Sequence, residues 1–182
     1  MTHTPASTFH QYCTWALTKE KPGLARAQRV DHGIIGLAGE VGEFLDAIKK
    51  NMIYEQPYNL AHICEELGDA LFYLTILCAC NPDTAEIAPV LPYEPTDSLD
   101  AALELVTICE RVRISLRVPR VSTSDLRHQL GLIQWLAHEY NLTLVDVMRA
   151  NQEKLERRYK DGYSNEAAAA RADKAEEKGH AS

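Results

Sequence analysis

GLAGEVGEFLDAIKK (residues 36–50) and HICEELGDALFYL (residues 62–74) carry their apolar residues at helical spacing. Working outward, Ile34, Leu37, Val41, Phe44, Leu45 and Ile48 predict a helix over 31–50. Leu60, Ile63, Cys64, Leu67, Leu71, Leu74 and Leu77 predict a second over 60–80, and Asn51 to Asn59, with Pro57, reads as the turn between them. Upstream, Phe9, Tyr12, Cys13, Ala16 and Leu17 predict a short helix over 7–20, capped by Ser7 or Thr8 and ended by Lys21-Pro22-Gly23. Downstream, helices fit 98–118 (capped by Ser98, stopped by Pro119), 124–140 (capped by Ser124) and 143–160. Residues 81–97 hold four of the eight prolines and read as a loop. The final EAAAARADKAEEKGHAS lacks an apolar face and reads as frayed. Period-two alternation is confined to Arg117–Ser122, which Pro119 interrupts. The expectation is an all-α bundle of four long helices with shorter N- and C-terminal helices. Residues 1–163 would form one domain containing a Pro-rich loop (81–97) and an extra hairpin (98–140), followed by a flexible tail (164–182).

Composition narrows the function classes. The 182 residues are 46% hydrophobic and 25% charged, which excludes wholesale disorder. Nineteen Lys and Arg against 26 Asp and Glu give a net charge of −7, a poor basis for binding a nucleic acid polymer. MTHTPASTFH has neither the basic start nor the apolar run of a signal peptide. The longest nearly apolar stretch, Ala70–Cys80, is too short to span a membrane. The five cysteines form no Cys-x-x-Cys pair and fall mostly among apolar residues, as small core hydrophobes do in a reducing cytoplasm.

The chemistry lies in two carboxylate pairs. Glu40 and Glu43 are three apart, as are Glu66 and Asp69, with Glu65 beside them. Residues at i and i+3 project from one side of a helix, and each pair edges its helix's apolar stripe. Either pair alone reads as an ordinary solvated face. If the two helices pack antiparallel through their stripes, however, four carboxylates converge. Two like charges about 4 Å apart repel by roughly 4 kcal/mol at an effective dielectric near 20. Such a cluster raises its pKa values or binds a cation, and an all-oxygen donor set selects Mg²⁺ or Mn²⁺ over zinc. A di-iron bundle would need Glu-x-x-His on two helices. Glu177–His180 in the tail is the one such match, and His62–Glu65 runs in reverse. Gly33, Gly36, Gly39 and Gly42 recur inside the first of these helices, each costing up to about 1 kcal/mol relative to Ala. Close approach of another helix or of a ligand accounts for them.

GLAGEVGEFLDAIKK, EELGDALFYL and NQEKLERRYKDGYS (151–164), in this order, resemble the MazG-like all-α nucleoside triphosphate pyrophosphohydrolases. Glu40 and Glu43 match that family's Glu-x-x-Glu; after 22 residues, Glu66 and Asp69 match its Glu-x-x-Asp. Asn151, Lys154, Arg158 and Tyr159, followed by Asp161-Gly162, match the C-terminal element. The resemblance implies Mg²⁺-dependent hydrolysis of a nucleoside triphosphate to monophosphate and pyrophosphate, the metal held by Glu40, Glu43, Glu66 and Asp69. Glu40 or Glu43 would take the proton of the attacking water. Asn151 and Lys154 would contact phosphate oxygens, joined by Arg158 and Tyr159 and, as a weaker candidate, Lys50. A homodimer or dimer of dimers is the expected assembly.

Candidates for holding a base are Phe9, Tyr12, Trp15, Tyr73 and His32, any of which also reads as core. The 81 residues between Asp69 and Asn151 exceed the family's usual spacing. A degenerate repeat explains them: shifts of 64 and 63 place Glu104, Thr107, Gln129 and Leu132 on Glu40, Glu43, Glu66 and Asp69. Helices 98–118 and 124–140 would then replace a partner subunit's hairpin. Arg111, Arg113, Arg117 and Arg120 form a basic run, either a solvated face or a second phosphate patch, and Tyr93 is a candidate lid residue. The rival to an enzyme is a non-catalytic helical module that binds a metal or a partner.

Overall fold

In the computed structural model, residues 8–81, 87–115, 122–160 and 163–170 are described, and among them there are helices and turns but no strand. The elements are α1 (Phe9–Ala16) with a 3₁₀ turn (Leu17–Lys19), α2 (Arg26–Tyr54), α3 (Leu60–Ala79), α4 (Ser98–Ser115), α5 (Thr123–Glu139), α6 (Leu144–Arg158) and α7 (Asn165–Ala170). The protein is all-α.

Several boundaries move from those predicted, each for a local reason. α2 begins at Arg26, five residues early, where the Gln28 side chain accepts from the Ala25 N–H at 2.9 Å. It runs on to Tyr54 and stops where Glu55 turns left-handed, φ 55°. Asp97, not Ser98, caps α4, accepting from the Asp100 N–H at 2.8 Å. Ser122, not Ser124, caps α5 by accepting from the Asp125 N–H. Thr8 caps α1. Residues 116–118, expected to finish α4, and the Arg117–Ser122 strand candidate up to Val121 lie outside the described residues, as do Asp161, Gly162, Glu177 and His180.

α2 and α3, joined by five residues, run antiparallel and bury Leu37, Val41, Phe44, Ile48, Ile63, Leu67, Leu71 and Leu74 between themselves and their neighbours. At about 25 cal/mol per Å² of apolar surface, such burial is the main force holding the hairpin closed. α4 packs on α2, α5 on α3 and α4 on α5, while α6 crosses α3 and α1 lies against α3 and α6. The glycines divide into two kinds. A Cβ on Gly36 would lie 2.2 Å from the Tyr73 ring, and one on Gly33 2.7 Å from Leu77, so both glycines permit the close approach of α2 to α3. Nothing lies within 4 Å of a Cβ at Gly39 or Gly42, where close packing is not the reason. Gly68, not singled out in sequence, admits Asn151 of α6, whose Cβ would be 2.9 Å away.

In the second half, Gln129 and Leu132 are fully buried on α5, and the Gln129 amide donates to Cys109 Sγ at 3.5 Å. Glu104 pairs with Arg111 at 3.4 Å, and Arg111 also reaches Asp125 at 3.3 Å, so this arginine sits between two carboxylates. The Arg113 side chain, Arg117 and Arg120 lie outside the described residues. Tyr93 packs edge-on against His128, ring centroids 5.8 Å apart. All five cysteines are free thiols, and among the described residues no helix is long and apolar enough to cross a membrane.

Candidate metal and nucleotide site

The stripe-edge carboxylates of α2 and α3 meet across the hairpin. Carboxylate oxygens of Glu40, Glu66 and Asp69 lie within 4.8 Å of one another. Glu66 is buried, and Glu40 and Asp69 are half-buried. Glu43, one turn further along α2, is exposed and stands outside this trio. A second set shares Glu66: His62, Glu65 and Glu66 also place donor atoms within 4.8 Å, with His62 Nδ1 3.0 Å from Glu66 Oε1. The sequence showed His62 one turn before Glu66, but not that its ring turns back onto that carboxylate.

Crowding and burial govern the charges here. Burial, then the negative charge of Asp69 and the hydrogen bond to Glu66, push Glu40 up to about 8. Glu66 is also raised, chiefly by burial, so the two carboxyls share a proton when no cation is present. Burial raises Asp69 as well, against the opposing pull of Lys154. A metal would meet a hard, all-oxygen donor set whose negative charge is poorly solvated, and that suits a divalent cation.

α6 braces Asp69 from the other side. Asn151 Nδ2 donates to Asp69 Oδ1 at 2.8 Å, and Asn151 Oδ1 accepts from the fully buried Tyr12 hydroxyl at 2.7 Å. Lys154 Nζ donates to Glu65 Oε1 at 2.8 Å and forms an ion pair with Asp69. Burial alone would lower the Lys154 pKa; Asp69 and Glu65 more than reverse that, so it stays charged. Asn151 and Lys154 therefore engage the carboxylates directly, and Tyr12 is a part of the site that its core-like spacing concealed.

The other predicted residues separate clearly. Lys50 lies on the outer face of α2, paired with Asp46 at 2.7 Å and half-exposed, away from the carboxylates. The i, i+4 spacing of Asp46 and Lys50 already announced that pair. Arg158 and Tyr159 line a cavity of about 230 Å³ together with Glu40, Asp69, Tyr73 and His32. Lys19 and Lys21 line it too, and Lys19 Nζ donates to the Tyr159 carbonyl at 3.3 Å. Of the aromatic candidates, Tyr73 reaches this cavity; Tyr12 and Trp15 are buried in the core, and Phe9 lines a different cavity between α1 and α3.

A family model for the MazG nucleotide pyrophosphohydrolase domain matches residues 29–88. No curated protein and no solved structure matches the chain. The matched segment holds α2 from Arg29 onward and all of α3, with all four carboxylates of the Glu-x-x-Glu and Glu-x-x-Asp pairs. Over this hairpin, the chain is MazG-like.

Proposed function

We propose that this chain is a Mg²⁺-dependent nucleoside triphosphate pyrophosphohydrolase, with Mn²⁺ as a substitute ion, that converts a ribo- or deoxyribonucleoside triphosphate and water to the monophosphate and pyrophosphate. The convergence of Glu40, Glu66 and Asp69 on the MazG-like hairpin carries this reading. Lys154 pairs directly with Asp69 and Glu65, whereas Glu40 and Glu66 hydrogen-bond to each other and Glu66 meets the His62 ring. Glu40, Glu66 and Asp69, with Glu43 at the exposed end, would hold the ion. A bound divalent cation would offset the charge of the polyphosphate and make the attacked phosphorus more electrophilic.

The chain's own groups do the rest. Glu40 is occupied with Glu66, whereas Glu43 presents its carboxylate to solvent one turn away, which favours Glu43 as the acceptor of the water's proton. Asn151 and Lys154 hold Asp69 in place, the orienting role that groups behind metal ligands commonly fill. Arg158 lines the cavity near enough to Asp69 to act on its charge, and supplies positive charge for phosphate oxygens. Tyr159 forms part of the wall, and Lys50 contributes only its surface pair with Asp46.

The test is release of pyrophosphate, resolved from orthophosphate, from a panel of ribo- and deoxyribonucleoside triphosphates with Mg²⁺. Pyrophosphate with monophosphate from some members, lost in Asp69→Asn, supports the enzyme. A folded wild type that turns over none of them with Mg²⁺ or Mn²⁺ returns the reading to a metal- or partner-binding module. Association as a homodimer or dimer of dimers accords with the exposed Met52, Ile53, Tyr54 and Leu60 at the α2–α3 turn. We read residues 1–163 as one working unit in a cytoplasmic setting, the latter in keeping with five free thiols.

A further inference from the structure

The cavity beside the carboxylates has a built far end. His32, Gly36 and Glu40 follow one another at i, i+4 and i+8, so they share a face of α2 that runs about 12 Å from His32 to Glu40. On α3, Asp69 and Tyr73 face them, and the Tyr73 ring lies flush against Gly36 because no Cβ stands there. A nucleotide with its phosphates at Glu40 and Asp69 therefore directs its base toward His32. At about 230 Å³ the cavity is smaller than typical sites for drug-sized ligands and suits a nucleoside portion, with the phosphates at its carboxylate end.

His32 lines this cavity with its ring edge-on to Tyr73, centroids 5.4 Å apart. Its Nδ1 is buried and, among the described residues, has no hydrogen-bond partner. A proton there would be a buried N–H with nothing to accept it, and orphaned N–H groups are rarer than under-satisfied acceptors. Burial also lowers the His32 pKa, so the ring is neutral near pH 7. The neutral ring thus keeps its one proton on Nε2, leaving that nitrogen to meet a ligand as a donor.

We propose that His32 reads the nucleobase through its Nε2–H, donating to a base carbonyl oxygen, and that the site favours carbonyl-bearing bases over adenine. The proposal rests on the pyrophosphohydrolase reading for the direction in which the nucleotide lies. Its test uses neither phosphate nor metal: unphosphorylated nucleosides are titrated into the metal-free full chain while the histidine ring signals are followed by NMR. The His32 signal is assigned by its loss in His32→Asn. Uridine, thymidine, cytidine or guanosine should shift that signal and bind at least ~5-fold more tightly than adenosine, about the worth of one hydrogen bond. The preference should collapse in His32→Phe, which keeps the ring contact with Tyr73. Adenosine binding as well as the best of the others, a preference that survives in His32→Phe, or a His32 signal that no nucleoside moves would each overturn it. Melting curves check that the variants fold; should His32→Phe fail to, His32→Asn carries the comparison. Selective nucleoside binding without triphosphate hydrolysis would defeat the enzyme reading alone.

Discussion

Asn151 holds Asp69: its amide donates to Asp69 Oδ1 at 2.8 Å across 82 residues of chain, while its carbonyl oxygen accepts from buried Tyr12. A relay from α1 through α6 to α3 thus fixes the orientation of one carboxylate. Tyr12→Phe leaves Asn151 Oδ1 short of a buried donor and should cost about 1–2 kcal/mol. For a chain of this size that is a fall of roughly 2–8 °C in Tm, read in a thermal melt. Metal affinity should fall about tenfold or more, the usual effect of losing a group that orients a ligand.

Lys154 is buried between Glu65 and Asp69. Lys154→Met removes the buried ammonium that both carboxylates share, a loss of about 3 kcal/mol or more. Because the ion would offset the same charges, Mg²⁺ should raise the Tm of Lys154→Met by more than it raises that of the wild type. Equal shifts would separate the lysine from the cation site.

The metal-free protein should lose stability as pH rises from about 4.5 to about 8. Glu40 has an ordinary value of 4.5 and is pushed up to about 8 by burial and by its acidic neighbours. The folded state therefore holds a proton that the unfolded state has released; this stabilisation is complete below pH 4.5 and gone above about 8. Melts across this range without metal should show that slope, and it should flatten in Glu40→Gln. With Mg²⁺ the trend at the site reverses, since the ion binds the deprotonated carboxylates.

Gly36 and Gly39 of α2 should respond to alanine in opposite ways. Gly36→Ala drives a methyl into the Tyr73 ring and should destabilise by about 1–3 kcal/mol. Gly39→Ala meets open space within a helix and should stabilise by up to about 1 kcal/mol. Paired melts of the two variants check the contrast.

The helices and the convergence of Glu40, Glu66 and Asp69 were legible because both follow from periodicity: residues that edge an apolar stripe meet when the stripes pack. Caps were harder, since Ser122 and Ser124, or Asp97 and Ser98, offer rival acceptors within two residues and only the backbone path chooses. Tyr12 was hidden because its hydroxyl finds Asn151 through the docking of α1, a contact no local pattern encodes. Glu43 shows the limit of spacing arguments, for a shared helical face does not ensure equal depth. The partnership of Lys154 with Glu65 likewise depends on how α6 crosses α3.

Glu40, Glu66 and Asp69 together should bind a divalent cation. Titration of Mn²⁺ into the full chain, followed by the loss of the free-ion electron paramagnetic resonance signal, tests it directly. Saturable binding that Mg²⁺ displaces, and that weakens at least ~10-fold in Asp69→Asn, is the predicted result. A folded wild type that leaves the Mn²⁺ signal undiminished, or binding that Asp69→Asn does not change, would contradict it.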